Sequence, residues 1–238
     1  MDPGIWFLNV CRKNNLHMSE TQIKLFEEYV AHLIEWNKKI NLISRRDEEN
    51  IWQRHILASI SFLFRFRIIS STRMIDIGTG GGLPGIPLAI IHQDIEVILV
   101  DSIHKKIDAV KDIIRRLHLN NVSAICSRAE ELASQKNFTH SMDYVIARAV
   151  APTKDLITWG ESFLHDRPIN EDSSPSSDEG KVILPKGSLL LLKGGELTGE
   201  VNEARTKLKP RQISVYPLAI DGVDQSECSD KKLVVVLP

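Results

Sequence analysis

A chain of 238 residues with 42% hydrophobic and 26% charged side chains is long enough for one sizeable core, which excludes global disorder. A formal net charge of -1 excludes bulk charge as a route to polyanion binding, so any nucleic-acid surface must come from local clustering of Lys and Arg. Cys11, Cys126 and Cys228 form no CxxC pair, which argues against a disulfide framework and a metal site; with no signal-peptide pattern or membrane-length run, the expected setting is the cytoplasm.

Ser19 and Gln22 open the stretch SETQIKLFEEYVAHLIEWNKKINLIS with a capping-box spacing. Ile23, Phe26, Val30, Leu33 and Asn37 follow at helical intervals, widened by Leu25, Tyr29 and Trp36. A second helix is expected from near Asp47, carrying Ile51, Trp52, His55, Ile56 and Ser59. Residues 1–70 therefore read as a helical extension without β alternation, with Trp36 and Trp52 as core residues.

Beyond residue 70, apolar runs alternate with helical segments: RMIDIG, VILVDS, VSAICS, YVIARAV and SLLLLKG. Such runs suit a parallel sheet covered on both faces, so residues 71–238 predict a doubly wound α/β domain. ISVYPLAI and KKLVVVLP complete seven strands, the last two expected as an antiparallel pair at the sheet edge. Asp166 to Lys181 is rich in Ser, Asp, Glu and Pro, and a mobile loop is expected there, bounded at 186.

The stretch DIGTGGGLPG places Asp76 at a strand end, then Gly78, Gly80 and Gly82, then a helix. Glycine is needed where a side chain would fill a ligand's volume or where φ is positive. Gly80, Gly82 and Gly85 also match the dinucleotide pattern G-x-G-x-x-G, in which helix amides face a pyrophosphate. The charge of Asp76 opposes a pyrophosphate and suits a cationic ligand, and Asp-x-Gly-x-Gly-x-Gly resembles motif I of S-adenosylmethionine (AdoMet) methyltransferases. On either reading Asp101, ending the next strand, is placed to accept hydrogen bonds from ribose hydroxyls.

At the end of the fourth strand, ARAVAP carries neither an Asn/Asp-Pro-Pro-aromatic motif for an exocyclic amine nor a Pro-Cys nucleophile. Cys126, the cysteine nearest a strand end, is expected to be buried or half-buried and inert. Guanine N7 needs neither device, because its lone pair is already free and positioning carries the catalysis. Arg148 is then the candidate clamp for the base or its phosphate.

RHILASI, DIGTGGGLPGIPLAI, DSIHKK, SRAEE, ARAVAP and LLLKGG together resemble the RsmG (GidB) family of bacterial 16S rRNA guanine-N7 methyltransferases, from about Leu16 to the carboxyl terminus. The resemblance implies a Rossmann-like class I AdoMet-dependent methyltransferase, mostly parallel and seven-stranded with an antiparallel edge strand. It implies methylation of N7 of guanosine 527, with 16S rRNA or the 30S subunit as partner; nothing in the sequence demands an obligate protein partner, and a monomer is expected. Carried over by motif, Asp76, Gly78, Gly80, Gly82, Leu83 and Asp101 are cofactor-binding, Ala129 and Glu130 border the adenine, and Arg148 faces cofactor and acceptor. Lys105, Arg128 and Lys193 are the basic residues near RNA, with Arg54 and His55 at the cleft mouth. Ala58 stands where the family usually has Asp. An AdoMet-dependent small-molecule methyltransferase, a non-catalytic AdoMet-binding module and, more distantly, an NAD oxidoreductase are the competing readings.

Overall fold

The computed structural model describes residues 2–165, 180–224 and 230–238. Cys228 and residues 166–179 of the expected mobile loop lie outside the described residues. Helix α1 (Pro3–Lys13) starts where Asp2 Oδ1 accepts the Ile5 amide at 3.0 Å and proline occupies the first turn. Helix α2 (Glu20–Asn37) starts at the capping box anticipated from Ser19 and Gln22. Its face of Phe26, Tyr29, Val30, Leu33 and Asn37 is buried.

The second expected helix is less regular. A 3₁₀ turn, Arg45–Asp47, comes first; a π segment, Trp52–Leu57, then runs into α3 (Ala58–Ile60) and a 3₁₀ turn, Ser61–Phe64. Widened π turns re-aim side chains relative to an α-helix, and His55 lies in this one. The extension is also not wholly helical, because β1 (Phe66–Arg67) pairs in parallel with β6 (Val182–Ile183). That pairing is non-local, so helical periodicity upstream carries no sign of it.

The remaining elements are β2 (Arg73–Ile77), α4 (Gly85–Ile91), β3 (Glu96–Asp101), α5 (His104–Arg116), β4 (Val122–Cys126), α6 (Ala129–Ala133) and β5 (Tyr144–Arg148). They are followed by α7 (Thr153–Gly160), β7 (Ser188–Lys193), α8 (Thr198–Leu208), β8 (Gln212–Pro217) and β9 (Lys232–Leu237). The seven-stranded sheet has the order β4-β3-β2-β5-β7-β9-β8, parallel through β7, with β9 antiparallel to both β7 and β8. The last two strands thus form the expected antiparallel pair, closing the sheet at β8.

The apolar strand runs divide by period two between two cores. Met74, Val97, Leu99, Ile146, Leu190 and Leu192 join the side chains of the helical extension, α4 and α5. Ile75, Ile77, Ile98, Val145, Leu189 and Leu191 face α6, α7 and α8. Each fully buried Leu or Ile contributes about 2 kcal/mol. Cys126 departs from expectation: it is exposed, because β4 forms the sheet's other edge and its last residue has no neighbouring strand on one side. No helix among the described residues is long and apolar enough to cross a membrane.

Candidate functional site: two cavities joined at Arg148

Strand β2 delivers the glycine loop to the carboxyl edge of the sheet, beside the point where the strand order reverses between β2 and β5. Strand period sends the side chain of Asp76 to the α4 face, underneath the loop. Its Oδ2 accepts from Thr79 Oγ1 at 2.7 Å and from the Gly85 amide at 3.0 Å, while Oδ1 is buried without a hydrogen-bond partner. Burial pushes this carboxyl up to about 7. The structure thus places Asp76 as an internal clamp on the loop, lining neither of the cavities described below.

The other side of the loop rests on the extension. Tyr29 is fully buried and its hydroxyl donates to the Gly81 carbonyl at 2.9 Å. Gln22 Nε2 donates to the carbonyls of Ile90 and Ile91, satisfying acceptors at the end of α4. Leu83 is buried and Gly82, at φ +92°, has Ile86 and the Tyr29 hydroxyl where a Cβ would go. These two residues face the helical core.

Gly78 opens the first cavity, of about 390 Å³, lined among others by Asp101, Lys106, Ala129, Glu130, Arg148 and Val150. At Gly78, φ is +70° and a Cβ would stand 2.6 Å from both Val150 methyls, so a side chain would close this cradle. Asp101 Oδ2 accepts from the Gly80 amide at 3.0 Å and Oδ1 from the Ile103 amide at 2.9 Å. A carboxylate has about four acceptor positions, so both oxygens keep capacity for ribose hydroxyls. The glycine cradle and this carboxylate fit the nucleoside of AdoMet.

The second cavity, of about 470 Å³, is lined by Arg54, His55, Ala58, Arg148, Lys193 and Glu200, with Lys231 and Lys232 also present. Arg148 and Ala149 belong to both cavities. Burial lowers the pKa of the Arg148 guanidinium, and the nearby Asp76 and Asp47 oppose that effect. Its Nη2 donates to His55 Nδ1 at 2.9 Å, and Nη1 lies 3.4 and 3.5 Å from the carbonyls of Arg54 and His55. Lys193 donates to the Ala151 carbonyl at 2.9 Å and pairs with Glu200 at 3.0 Å, while Thr153 Oγ1 donates to Glu200.

The structure therefore brings Gly78, Asp101, Arg128, Ala129, Glu130 and Arg148 around one cavity and Arg54, His55, Lys193 and Arg148 around the next. Lys105 is exposed and lines neither, whereas Lys106 approaches Asp101 to 3.9 Å. The phase of α5, set by buried Ile107 and Val110, was the available signal for that distinction. Tyr29 and Glu200 take their roles from contacts with distant segments, Gly81 and Thr153, which apolar periodicity does not reveal, and Asp47 takes its role from the irregular turns that bring it back to Arg54 and His55.

A family model described as GidB, rRNA small subunit methyltransferase G, matches residues 22–169. A protein named Ribosomal RNA small subunit methyltransferase G from Chlorobium phaeobacteroides is 33% identical over 95% of this chain and 92% of its own. One of the same name from Desulforamulus reducens is 37% identical over 91% and 94%. Among solved structures, M. jannaschii TYW2 in complex with AdoMet has a TM-score of 0.52 at 15% identity, covering 84% of this chain and 78% of that one. A likeness at that identity concerns the fold.

Proposed function

The chain belongs to the GidB family, rRNA small subunit methyltransferase G, and on that premise we propose how its two cavities divide the work. It is an AdoMet-dependent methyltransferase acting on N7 of a guanosine in 16S rRNA, for which we propose position 527. The observation that carries the division is the sharing of Arg148 and Ala149 between the cavity beside Asp101 and the cavity ringed by Arg54, Lys193, Lys231 and Lys232.

Gly78 and Asp101 would hold AdoMet, which when bound would supply an electrophilic methyl group on a sulfonium. The N7 lone pair of the acceptor is free without loss of a proton, so no side chain of this protein has to act as a base before transfer. This chain's contribution is accordingly orientation and exclusion of water. Arg148, a planar donor with no acceptor, holds the guanine O6 edge and leaves the N7 lone pair free. Lys193, fixed by Glu200, and the basic residues at the mouth attract the RNA phosphates, a local positive field that the net charge conceals. Asp101 orients the ribose, Ala129 and Glu130 flank the adenine, and Asp76, Gly80, Gly82 and Leu83 shape the loop. Residues 1–70 serve as an extension that buttresses that loop. We further propose that the protein works as a monomer in the cytoplasm on the 30S subunit or its rRNA.

The test is methyl transfer from labelled AdoMet to 30S subunits and 16S rRNA from a strain lacking this gene, followed by nucleoside analysis. One 7-methylguanosine is expected at one small-subunit site, and Arg148→Ala is expected to lower kcat by about 100-fold or more. Full activity of Arg148→Ala would remove Arg148 from the reaction. Transfer to a soluble metabolite in the absence of RNA would replace the rRNA assignment with a small-molecule one.

A further inference from the structure

His55 lies between two opposite charges, with its side chain 13% exposed. Its Nδ1 is 2.9 Å from Arg148 Nη2. A guanidinium carries only donors, so Nδ1 must present a lone pair and the ring proton belongs on Nε2. Nε2 is buried and faces Asp47 Oδ2 at 3.5 Å, a charge–dipole contact longer than a full hydrogen bond. Asp47 is held in turn, since its Oδ1 accepts from Arg54 Nη1 at 2.6 Å. A protonated imidazole would point an N–H at the guanidinium, and burial together with Arg148 holds His55 down to about 4.

We propose that Asp47 and His55 are positioning residues that act through Arg148: the carboxylate fixes the imidazole tautomer, and the imidazole lone pair fixes the plane of the guanidinium where the two cavities meet. The inference rests on the reading of Arg148 given above. It also accounts for a site that has Ala58 where a carboxylate was expected. Ala58 lines the acceptor cavity without supplying a charge, and the carboxylate facing His55 comes from the 3₁₀ turn before it. Without these partners Arg148 keeps its charge and loses its orientation. A misplacement of about 1 Å at a positioning group lowers the rate by about 100-fold.

The test compares two amides in the full-length enzyme with 30S subunits as substrate. Asn at 55 presents its oxygen near the position of Nδ1, whereas Gln reaches toward Nε2. Relative to wild type, kcat is expected to fall less than about fivefold in His55→Asn and about 100-fold in His55→Gln, with KM for 30S nearly unchanged in both. Asp47→Asn is expected to lower kcat about tenfold in the wild-type background and not at all in the His55→Asn background, since the coupling runs through the imidazole. Equal activity of the two amides, or an equal Asp47→Asn loss in both backgrounds, overturns the proposal. Full activity of Arg148→Ala instead overturns the parent reading. A readout independent of variant folding is the long-range proton–nitrogen spectrum of the wild type: a neutral Nε2–H tautomer at His55 from pH 8 to about pH 5.5 is expected, and an Nδ1–H tautomer or an imidazolium in that range overturns it.

Discussion

Asp76 is a carboxyl group with one satisfied oxygen and one orphan in a fully buried site, and its protonation is therefore linked to folding. Its ordinary value of 3.8 rises to about 7. Between those values the folded protein retains a proton that the unfolded chain has released, so stability is present at low pH and declines as pH rises through the window. The full shift corresponds to about 4 kcal/mol. His55 has the opposite sign: its value falls from 6.5 to about 4, so stability is lost as pH drops through that range. The two slopes oppose each other from about pH 4 to 6.5, leaving Asp76 alone above it. Asparagine at position 76 keeps an acceptor for Thr79 and Gly85 and mimics the protonated acid. In thermal scans without AdoMet, Asp76→Asn is expected to melt above the wild type at pH 8 and to lose that advantage toward pH 4. A difference in Tm that does not change with pH would refute the linkage.

The glycine loop illustrates how one element serves two purposes at different residues. Gly78 abuts Val150, an exposed residue of the loop between β5 and α7, so an added methyl group narrows the cavity beside Asp101. Gly85 begins α4 against the core, where a Cβ would stand 2.2 Å from Leu99 Cδ2 and 2.9 Å from Asp76 Oδ2. Gly78→Ala is expected to weaken AdoMet binding at least tenfold by calorimetry, with a Tm drop of only a few degrees, whereas Gly85→Ala should cost about 1–3 kcal/mol of stability through overpacking. A Gly78→Ala protein with wild-type affinity would show that Val150 yields, removing the cradle argument.

At the scale of the whole molecule, the helical extension and the sheet are not separable. Phe7, Phe26, Tyr29, Leu33 and Ile56 share one core with Met74, Leu83, Val97, Tyr144 and Leu190. Removing the extension would expose the part of that sheet face and of α4 that it covers, and free the Gly81 carbonyl from Tyr29. Three of the four tryptophans, Trp6, Trp36 and Trp52, lie in the extension and Trp159 lies on α7. In urea, tryptophan fluorescence and far-ultraviolet circular dichroism are therefore expected to give one coincident transition. Two separated midpoints would mean that the extension unfolds by itself.

The sequence by itself determined the features governed by local rules. The capping box at Ser19 and Gln22, the apolar runs and the glycine loop before a helix all arise from short-range sterics and hydrogen bonding, and they carry the fold class. The motif order around Arg148 carried the reaction class. Tertiary structure decided what depends on direction and distance between remote segments. Packing under α4 aims Asp76 beneath the loop and an edge position exposes Cys126, whereas the choice of Lys106 over Lys105 was already legible in the spacing of Ile107 and Val110 on α5. The contact between His55 and Arg148 joins residues far apart in the chain through a π segment that apolar periodicity does not distinguish from an α-helix. Side-chain identity is a property of one position, whereas orientation is set by every element packed around it, and that is why the chemistry was legible before the geometry that aims it.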